Sequence, residues 1–116
     1  EMTRQDVTSG ARFGDEIGLF GFIDNPTHTV KDAGAYGVPY RALTVKGFDN
    51  LLIAGRMMTL DMVAHNSTRN TVCCMGQGQA SGTAAAMCAA KNHGTREIRY
   101  ADLRQSLVKA GVYFES

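Results

Sequence analysis

The sequence predicts one small α/β domain, or an α+β domain if the chain folds by itself. Residues 51–55, LLIAG, are short, branched and uncharged, which is typical of a strand buried on both faces of a parallel sheet. Residues 70–91 are rich in alanine and favour a helix. Residues 100–111 carry leucines at helical spacing. Parallel strands of this kind are covered by helices, which gives the α/β class.

The composition is that of an ordinary globular protein. The chain has 116 residues, of which 44% are hydrophobic and 20% charged, so it is long enough to bury a core and is not disordered. Its formal net charge is +1 and it has no basic run, so we expect no nucleic-acid partner. Its apolar runs are interrupted by Arg56 or by glycines before they reach the ~20 residues of a membrane span, so we expect no membrane partner.

Cysteine usage and the first residues indicate where the protein works. The three cysteines, Cys73, Cys74 and Cys88, form neither an even disulfide framework nor a spaced zinc set. A reducing compartment follows, and we expect the cytoplasm. The chain opens with Glu1 and shows no basic segment followed by an apolar core, so no signal peptide is visible. We expect an internal start, in a fragment or a processed chain.

The first part of the chain is irregular and rich in glycine. Residues 18–24, GLFGFID, alternate in a way that predicts a short strand. Residues 24–28, DNPTH, predict a turn, because Asp and Asn bond to their own backbone and proline fixes φ. Residues 31–43 resume an extended course, since the residue before Pro39 is kept out of helical space. A boundary is expected near residues 45–49, where strand and helix take over.

Two helices are predicted in the second part of the chain. The longer one has many strong helix formers, and Lys91 complements the dipole at its C-terminal end. Gly94 lies just beyond, where a terminating glycine is expected. The last helix is amphipathic, with Leu103, Leu107 and Val108 on one face.

The longer helix is unusually thin on one side. Gly78, Gly82, Ala86 and Ala90 are four residues apart and therefore share a face. Each glycine costs up to ~1 kcal/mol of helix stability relative to alanine, so the spacing needs a reason. Tight packing of the helix on a sheet is one reason, and close contact with a flat ligand is the other. The stripe by itself does not decide between them.

A phosphate-binding loop is an alternative interpretation of residues 76–82, GQGQASG. In a dinucleotide fold this glycine pattern lies between a strand and a helix. Residues 71–75, TVCCM, would have to be that strand, but they are short and follow the polar HNSTRN. No acidic residue that ends a strand follows at about 20 positions. We therefore do not favour a dinucleotide loop here.

Thiol and metal chemistry are two further alternatives. Cys73 and Cys74 invite a redox role, because a thiol at a helix N-terminus has a lowered pKa. Adjacent cysteines form only a strained bridge, and a buried cysteine more commonly acts as a small hydrophobe. Asp61 and His65 offer two metal ligands at most, and no other residue has ligand spacing. We predict no metal site.

His65 and Arg69 are the candidate catalytic residues. They are four residues apart in a polar segment between the predicted strand end and the helix start. Loops at the carboxyl ends of parallel strands are where α/β proteins bind and react. Histidine moves protons near neutral pH, and arginine holds carboxylates or stabilises anions. The alternative is a hydrogen-bonded histidine and a solvated or ion-paired arginine.

Four segments follow one another along the chain: YGVPYRAL, DNLLIAGR, VAHNSTRN and GQGQASGTAAAMCAAKN. Each alone is weak, but together, in this order and at these separations, they are fairly specific. They resemble the C-terminal end of FAD-dependent oxidoreductases of the glutathione-reductase-like and fumarate-reductase-like superfamily. The opening SGARFGDEIGLFGFID is similar to the stretch that precedes this core, and the match fades over the last helix. The resemblance implies an FAD cofactor.

The resemblance also implies which end of the predicted strand meets the cofactor. Ala54, Gly55 and Arg56 would pass close to the ribityl and pyrophosphate part of FAD. Gly55 would be required because a Cβ would block that approach. The superfamily has Gly-Asp where this chain has Gly55-Arg56, so the usual carboxylate contact to ribityl is absent and Arg56 would serve another role, such as binding phosphate.

In the same family the long helix points its N-terminus at the N1/C2=O edge of the isoalloxazine. Backbone N–H groups near Asn70, Thr71 and Val72, with the helix dipole, would then stabilise the anionic reduced flavin. The thin face would let the helix sit tightly against the sheet beneath it. A hydride would pass between a substrate C–H and the flavin, with His65 and Arg69 on the substrate side of the ring.

The resemblance further implies that this chain is part of a longer flavoprotein. Residues 1–44 would be the end of a substrate domain and its return strand, and residues 45–116 the C-terminal part of a Rossmann-like FAD-binding domain. The chain has no Gly-x-Gly-x-x-Gly loop after an N-terminal strand and no ribose-binding acid. We therefore expect partners in a small-molecule substrate and the remainder of the parent chain, and an isolated fragment that is inactive and binds FAD weakly or not at all.

Two other functions remain open at this point. A self-contained, non-enzymatic α+β interaction domain would use the thin helix for packing and leave the His65 and Arg69 segment solvated. A flavin-linked thiol reductase would use Cys73 and Cys74 instead. Neither function is excluded by the residues alone.

Overall fold

Four α-helices and two β-strands form the part of the chain described by the computed structural model, residues 1–24 and 27–114. Short 3₁₀ turns connect them at Lys31–Ala33, Tyr40–Leu43 and Gly55–Met57. The turn predicted at residues 24–28 has its centre at residues 25 and 26, outside the described part. The elements are α1 Arg4–Ser9, β1 Glu16–Phe20, β2 Tyr36–Pro39, α2 Met62–Thr68, α3 Thr71–Lys91 and α4 Tyr100–Lys109.

The short helix α1 was not predicted from the sequence, although its cap signal is present. The Thr3 side chain accepts from the Asp6 N–H, and the Asp6 carboxylate accepts in return from the Thr3 N–H. Gly10 ends the helix in the left-handed region with φ +70°. Val7 is the side chain that α1 buries in the core.

The sheet of the described residues is antiparallel and has two strands. β1 pairs with β2 so that Glu16 lies opposite Pro39 and Phe20 opposite Tyr36, with an irregularity between Glu16 and Leu19. The strand predicted over residues 18–24 is therefore right only for its first part. The extended course predicted over residues 31–43 is confirmed for β2, Tyr36–Pro39, and is wrong for the 3₁₀ turns at Lys31–Ala33 and Tyr40–Leu43. The fold is mixed α/β as predicted, but the parallel sheet does not form within the described residues.

The strand predicted at residues 51–55 is wrong. One antiparallel bridge joins Leu52 to Thr44, and the Ile53 N–H donates to the Leu43 carbonyl at 2.8 Å. Leu51 is 43% exposed, so the segment is not buried on both faces. A strand needs backbone neighbours, and here the Leu43–Thr44 backbone supplies one on a single side. Branched side chains alone could not create the second neighbour.

The long helix α3 confirms the prediction for residues 70–91. Asn70 is its N-cap, and it runs from Thr71 to Lys91. The side chains that it buries are small or unbranched, and they lie along one face. They are Cys73, Gln77, Ala80, Ala84 and Cys88.

The end of α3 differs from the prediction. Asn92, not Gly94, adopts the left-handed conformation that ends the helix, with φ +52°. Asparagine tolerates this region better than most residues, because its short polar side chain bonds locally. The Asn92 N–H donates to the Ala89 carbonyl, so the helix is already closed before Gly94.

The thin face of α3 does not pack on the sheet. Gly78, Gly82, Ala86 and Ala90 are all exposed, and a Cβ added at Gly78 or Gly82 would meet no atom within 4 Å. The close approach to the sheet occurs at Gly76 instead, where a Cβ would lie 2.7 Å from the Phe20 ring. The predicted packing is therefore wrong for this stripe, which is open in the described chain.

The last helix, α4, covers α3 as an amphipathic helix should. Leu103 and Leu107 are fully buried, as predicted. Val108 is exposed, because it is only one position beyond Leu107 and so points about 100° away from it. Lys91 and Asp102 form an ion pair at 3.6 Å between the two helices.

Glu16 connects both ends of the chain to the sheet. Its carboxylate is 4% exposed and accepts hydrogen bonds from Arg12 and from the Phe13 N–H. Arg12 also donates to the Phe114 carbonyl, and the Tyr100 hydroxyl donates to the Glu16 carbonyl. Burial alone raises the pKa of Glu16, but these hydrogen bonds outweigh burial and lower the pKa below its ordinary value of 4.5.

Replacing Glu16 tests this connection. Glu16→Gln should lower the free energy of unfolding by about 1–2 kcal/mol at pH 7, because it removes the charge from a hydrogen-bonded pair whose arginine is partly exposed. A lowered folded-state pKa gives stability that is complete above pH 4.5 and is lost as the pH falls through the folded value. Urea unfolding should therefore show that the difference in free energy of unfolding between the parent protein and Glu16→Gln becomes smaller in acid.

A control uses the exposed residue Glu1. Glu1→Gln should change the free energy of unfolding by less than about 0.5 kcal/mol at either pH. A Glu16→Gln deficit that stays constant from pH 7 to pH 3 would contradict the ionic account of Glu16.

Candidate functional site

A cavity of about 460 Å³ opens at the N-terminus of α3. This volume lies within the usual range of small-molecule sites. Its apolar wall comes from the end of β1 and the residues that follow, including Phe20 and Phe22. The opposite wall is the junction of α2 and α3. The residues lining that junction are Ser67, Asn70, Thr71, Val72 and Cys73.

No described side chain caps α3. The Asn70 side chain turns back to α2 and donates to the carbonyls of Asn66 and Ser67, at 2.7 and 3.0 Å. The N–H groups of Thr71 and Val72 have no acceptor among residues 1–24 and 27–114. Unpaired N–H groups and the helix dipole give this end of the cavity a positive potential. The cavity can therefore bind an electron-rich polar edge while its walls contact an apolar ring.

The apolar wall that carries Phe20 and Phe22, called the aromatic wall below, is held in place by a buried pair of hydroxyl groups. Ser67 Oγ donates to the Phe22 carbonyl and is bonded to the Tyr36 hydroxyl. The Asp24 N–H donates to the Asn66 carbonyl at 3.1 Å. These bonds tie the segment after β1 to α2, and so they fix the width of the cavity.

The structure places Arg69 next to this wall. Its guanidinium donates to Asp24 at 3.0 Å, in an ion pair whose two side chains are partly exposed. A pair of this exposure contributes little stability and exchanges readily with another anion. Arg69 does not itself line the cavity, but its partner Asp24 belongs to the segment that does.

His65 lies in α2 and not in a loop, which corrects the sequence interpretation. It is one turn before Arg69, half-buried, and no described residue hydrogen-bonds its imidazole. α2 forms here because Asp61 caps it, accepting from the Ala64 N–H at 2.9 Å. The Asp61 carboxylate also accepts from the Arg4 N–H. Asp61 is thus occupied as a cap and is not free to bind a metal.

The turn at Ala54, Gly55 and Arg56 lies against the second turn of α3. Gly55 has φ +76°, a region that disfavours residues with a Cβ. An added Cβ would sit 3.8 Å from Cys74 Sγ, so the conformation and not the space requires glycine here. Arg56 is exposed, and the described residues offer its guanidinium no partner. None of the three residues lines the cavity.

The structure gives little support to a redox role of Cys73 and Cys74 or to a metal site. All three cysteines are free, and burial raises the pKa of Cys73 to about 12, which opposes the thiolate that a redox role needs. Cys74 Sγ donates to the Arg69 carbonyl at 3.1 Å. Within residues 1–24 and 27–114, no group of three or more metal-binding side chains comes together.

Sequence reasoning missed two parts of the site. The first is the aromatic wall, whose signal was the pair of phenylalanines in GLFGFID. The second is Gln77, whose amide is fully buried between α3, Gly55 and Thr68. The sequence feature that could have revealed Gln77 is its spacing, because it follows Cys73 by four residues and so lies on the same buried face of α3.

Comparison with known protein families decides the lineage. The model of the FAD dependent oxidoreductase family matches residues 1–107. This chain belongs to that family. Compared with curated proteins and with solved structures, it gives no significant match. The resemblance noted in the sequence is confirmed at the level of the family.

Membership of the FAD dependent oxidoreductase family settles the cofactor and the broad chemistry. FAD is the cofactor, and an oxidoreductase of this family has a small-molecule substrate. No helix of the described residues is long and apolar enough to cross a membrane.

Gly55 can be tested against a second glycine of the same region. Gly55→Ala should lower the free energy of unfolding of this FAD dependent oxidoreductase chain by about 1–2 kcal/mol, because alanine must adopt φ +76°. Gly78→Ala should raise it by up to about 1 kcal/mol, because Gly78 is helical and a Cβ there meets open space. Urea denaturation measures both, and equal shifts would contradict the conformational argument.

Proposed function

We propose that this chain is the C-terminal part of an FAD-dependent oxidoreductase of the glutathione-reductase-like and fumarate-reductase-like superfamily, in which the start of α3 faces the N1/C2=O edge of the isoalloxazine. One observation carries the proposal. The uncapped N–H groups of Thr71 and Val72 open into an apolar cavity of about 460 Å³, in a chain of an FAD-dependent family.

The chemistry of the cavity fits the flavin ring. The aromatic side chains of Phe20 and Phe22 and the exposed Val72 suit a flat, largely apolar surface. The unpaired N–H groups suit ring acceptors, and the helix dipole favours negative charge at that edge. Bound FAD supplies the electron-accepting ring of the oxidation. Asn70 contributes by leaving the helix uncapped, since its amide is used by α2.

The turn at Ala54, Gly55 and Arg56 is our proposed contact for the ribityl and pyrophosphate part of FAD. Its support is its position against α3 and the left-handed glycine that lets the backbone turn there. Arg56 is exposed, so its guanidinium is available to a phosphate. This role would replace the ribityl-binding carboxylate that the superfamily has at the same place.

We assign substrate handling to Arg69 and His65. Arg69 would exchange its exposed ion pair with Asp24 for an anionic group of the substrate. His65 would move a proton, because its half-buried imidazole has no hydrogen-bond partner among the described residues. The pairing of Arg69 with Asp24 places its guanidinium beside the segment that follows β1.

The remainder of the parent flavoprotein is the proposed partner of the open surfaces. Gly78, Gly82, Ala86 and Ala90 present backbone at the surface, where another helix or strand can approach closely. The extended segment near Leu51 has an exposed side that a further strand can cover. We place the domain boundary after residue 44, with residues 45–116 completing a Rossmann-like FAD-binding domain.

Two consequences follow for the isolated chain and for its location. Alone it should be inactive and should bind FAD weakly or not at all, because it has no glycine-rich loop for the ADP half. A cytoplasmic location fits three free thiols, since a reducing compartment keeps cysteines unpaired.

A self-contained interaction domain is the competing function. It would leave the uncapped helix start and the cavity without a purpose, and family membership does not favour it. The visible absorption spectrum of the full-length natural protein, before and after denaturation, separates the two functions. Flavin bands that are released as free FAD support the oxidoreductase. A colourless protein that takes up no added FAD would move the interaction domain to the front.

Arg69 provides the test of the substrate side. In the full-length protein, Arg69→Ala should lower kcat/KM by about tenfold or more, the effect of losing one charge-assisted hydrogen bond to the substrate. Arg41→Ala is the matched control, because Arg41 also pairs with an aspartate at the surface, but that partner, Asp15, precedes β1, and the cavity is lined by residues from the other end of that strand. Equal activities of the two variants would remove Arg69 from substrate binding.

A further inference from the structure

Gln77 is a fully buried amide in a row of small side chains. It is 0% exposed, and it lies on the face of α3 that also carries Cys73, Ala80 and Ala84. Burying an amide without hydrogen bonds costs roughly 1–3 kcal/mol, so an amide at this position must be fully bonded. A leucine or methionine would fill the same space at lower cost.

The hydrogen bonds of Gln77 join two segments that are separate in the sequence. Its Oε1 accepts from the Gly55 N–H at 2.5 Å, and its Nε2 donates to the Thr68 carbonyl at 2.8 Å. Nε2 also lies 3.2 Å from Cys73 Sγ, which accepts its second hydrogen. A donor on one side and a carbonyl acceptor on the other fix the orientation of the amide, since a flipped group would oppose both.

Gln77 bonds the Gly55 N–H, and its bond to the Thr68 carbonyl, at 2.8 Å, is shorter than that of the Cys74 thiol, which also approaches this carbonyl at 3.5 Å. The Gly55 N–H belongs to a turn with φ +76°, and the Thr68 carbonyl belongs to the last turn of α2. A carbonyl in the last turn has no partner within its own helix. Gln77 therefore satisfies two backbone groups at once and holds the Gly55 turn at a fixed distance from the junction between α2 and α3.

We propose that Gln77 is a positioning residue for FAD, setting the placement of the Gly55 turn relative to the start of α3. This inference rests on the proposed function, in which those two segments contact different parts of one cofactor. Gln77 does not line the cavity and would act on the cofactor through Gly55 and Thr68. A cofactor bound at both ends is sensitive to small displacements between its two contacts.

The first test compares two glutamines of α3 in the full-length FAD-loaded protein. Gln77→Met keeps the side-chain volume and removes the hydrogen bonds. It should raise the Kd for FAD by about tenfold or more and shift both the flavin absorption bands and the reduction potential. Gln79→Met is the matched control, because Gln79 is exposed on the same helix and should leave all three unchanged.

A second test uses an acid of the same shape. In Gln77→Glu the protonated carboxyl can donate to the Thr68 carbonyl while its other oxygen accepts from the Gly55 N–H. The carboxylate cannot donate, and burial raises its pKa. The variant should therefore match the parent spectrum in acid and drift toward that of Gln77→Met as the pH rises, whereas Gln79→Glu should track the parent throughout.

The surrounding groups do not confuse this titration. The titratable side chains around the amide are Cys73, in contact with it, Cys74, whose thiol shares the Thr68 carbonyl, and Tyr36 beyond. Repeating the titration in a Cys74→Ser background removes the Cys74 thiol from it. Burial raises the pKa of Cys73 to about 12 and raises the pKa of Tyr36 above its ordinary value. Both stay neutral over the range in which the new acid ionises.

The outcomes separate this inference from the proposed function. A full-length parent protein without FAD overturns the proposed function and this inference with it. A protein that holds FAD, but in which Gln77→Met lowers only the melting temperature, shows that Gln77 is merely structural and overturns the inference alone. If Gln77→Met fails to fold, the acid variant decides, and a spectrum that does not change with pH overturns the inference.

Discussion

The long helix α3 begins without a side-chain cap, because the Asn70 side-chain amide donates to the carbonyls of α2 and its side-chain oxygen accepts nothing from α3. A helix of 21 residues therefore presents free N–H groups and the positive end of its dipole. The short segment after β1 completes a cavity around that end, held by Ser67 and Tyr36. The position and the electrostatics of the candidate site both depend on one interaction, the hydrogen bonds from the Asn70 side-chain amide to the carbonyls of Asn66 and Ser67.

The second constraint is the thinness of α3. Its core face is made of small or unbranched side chains, and beside that face the Phe20 ring packs directly against the helix at Gly76. Its opposite face is equally small and is exposed in this chain. A helix that is thin on both sides is suited to lie between two layers, and here one layer is present. The remainder of the proposed parent chain would supply the second layer, by covering the open face of α3 and the extended segment near Leu51.

Local signals were enough to predict α3 and α4, whereas the pairing of strands, which depends on distant residues, was not predictable from them. α3 and the buried leucines of α4 follow from alanine content and from spacing, which act within a few residues. Residues 51–55 have the composition of a buried strand, but strand formation depends on neighbours that lie elsewhere in the chain. α1 and α2 each begin at a cap, Thr3 and Asp61, that a closer search for cap signals would have found.

The candidate site was predictable in part for the same reason. Thr71 and Val72 could be predicted as cofactor-binding residues for two reasons. The start of a helix is a local feature of the sequence, and the family resemblance implies that this helix start faces the flavin. The partnership of Arg69 with Asp24, and the bonds of Gln77 to Gly55 and Thr68, join residues far apart in the sequence. No spacing rule reports contacts of that kind. A polar residue on a buried helix face indicates hydrogen bonds to other parts of the chain, because buried polar groups are almost always bonded.

In the proposed arrangement the uncapped start of α3 contacts the flavin. A crystal structure of the full-length natural protein with FAD bound would measure the distance from the N–H groups of Thr71 and Val72 to the ring. We expect at least one of them within about 3.2 Å of the N1/C2=O edge, which is hydrogen-bond distance. A ring bound elsewhere, with a side chain or water capping α3, would contradict the account.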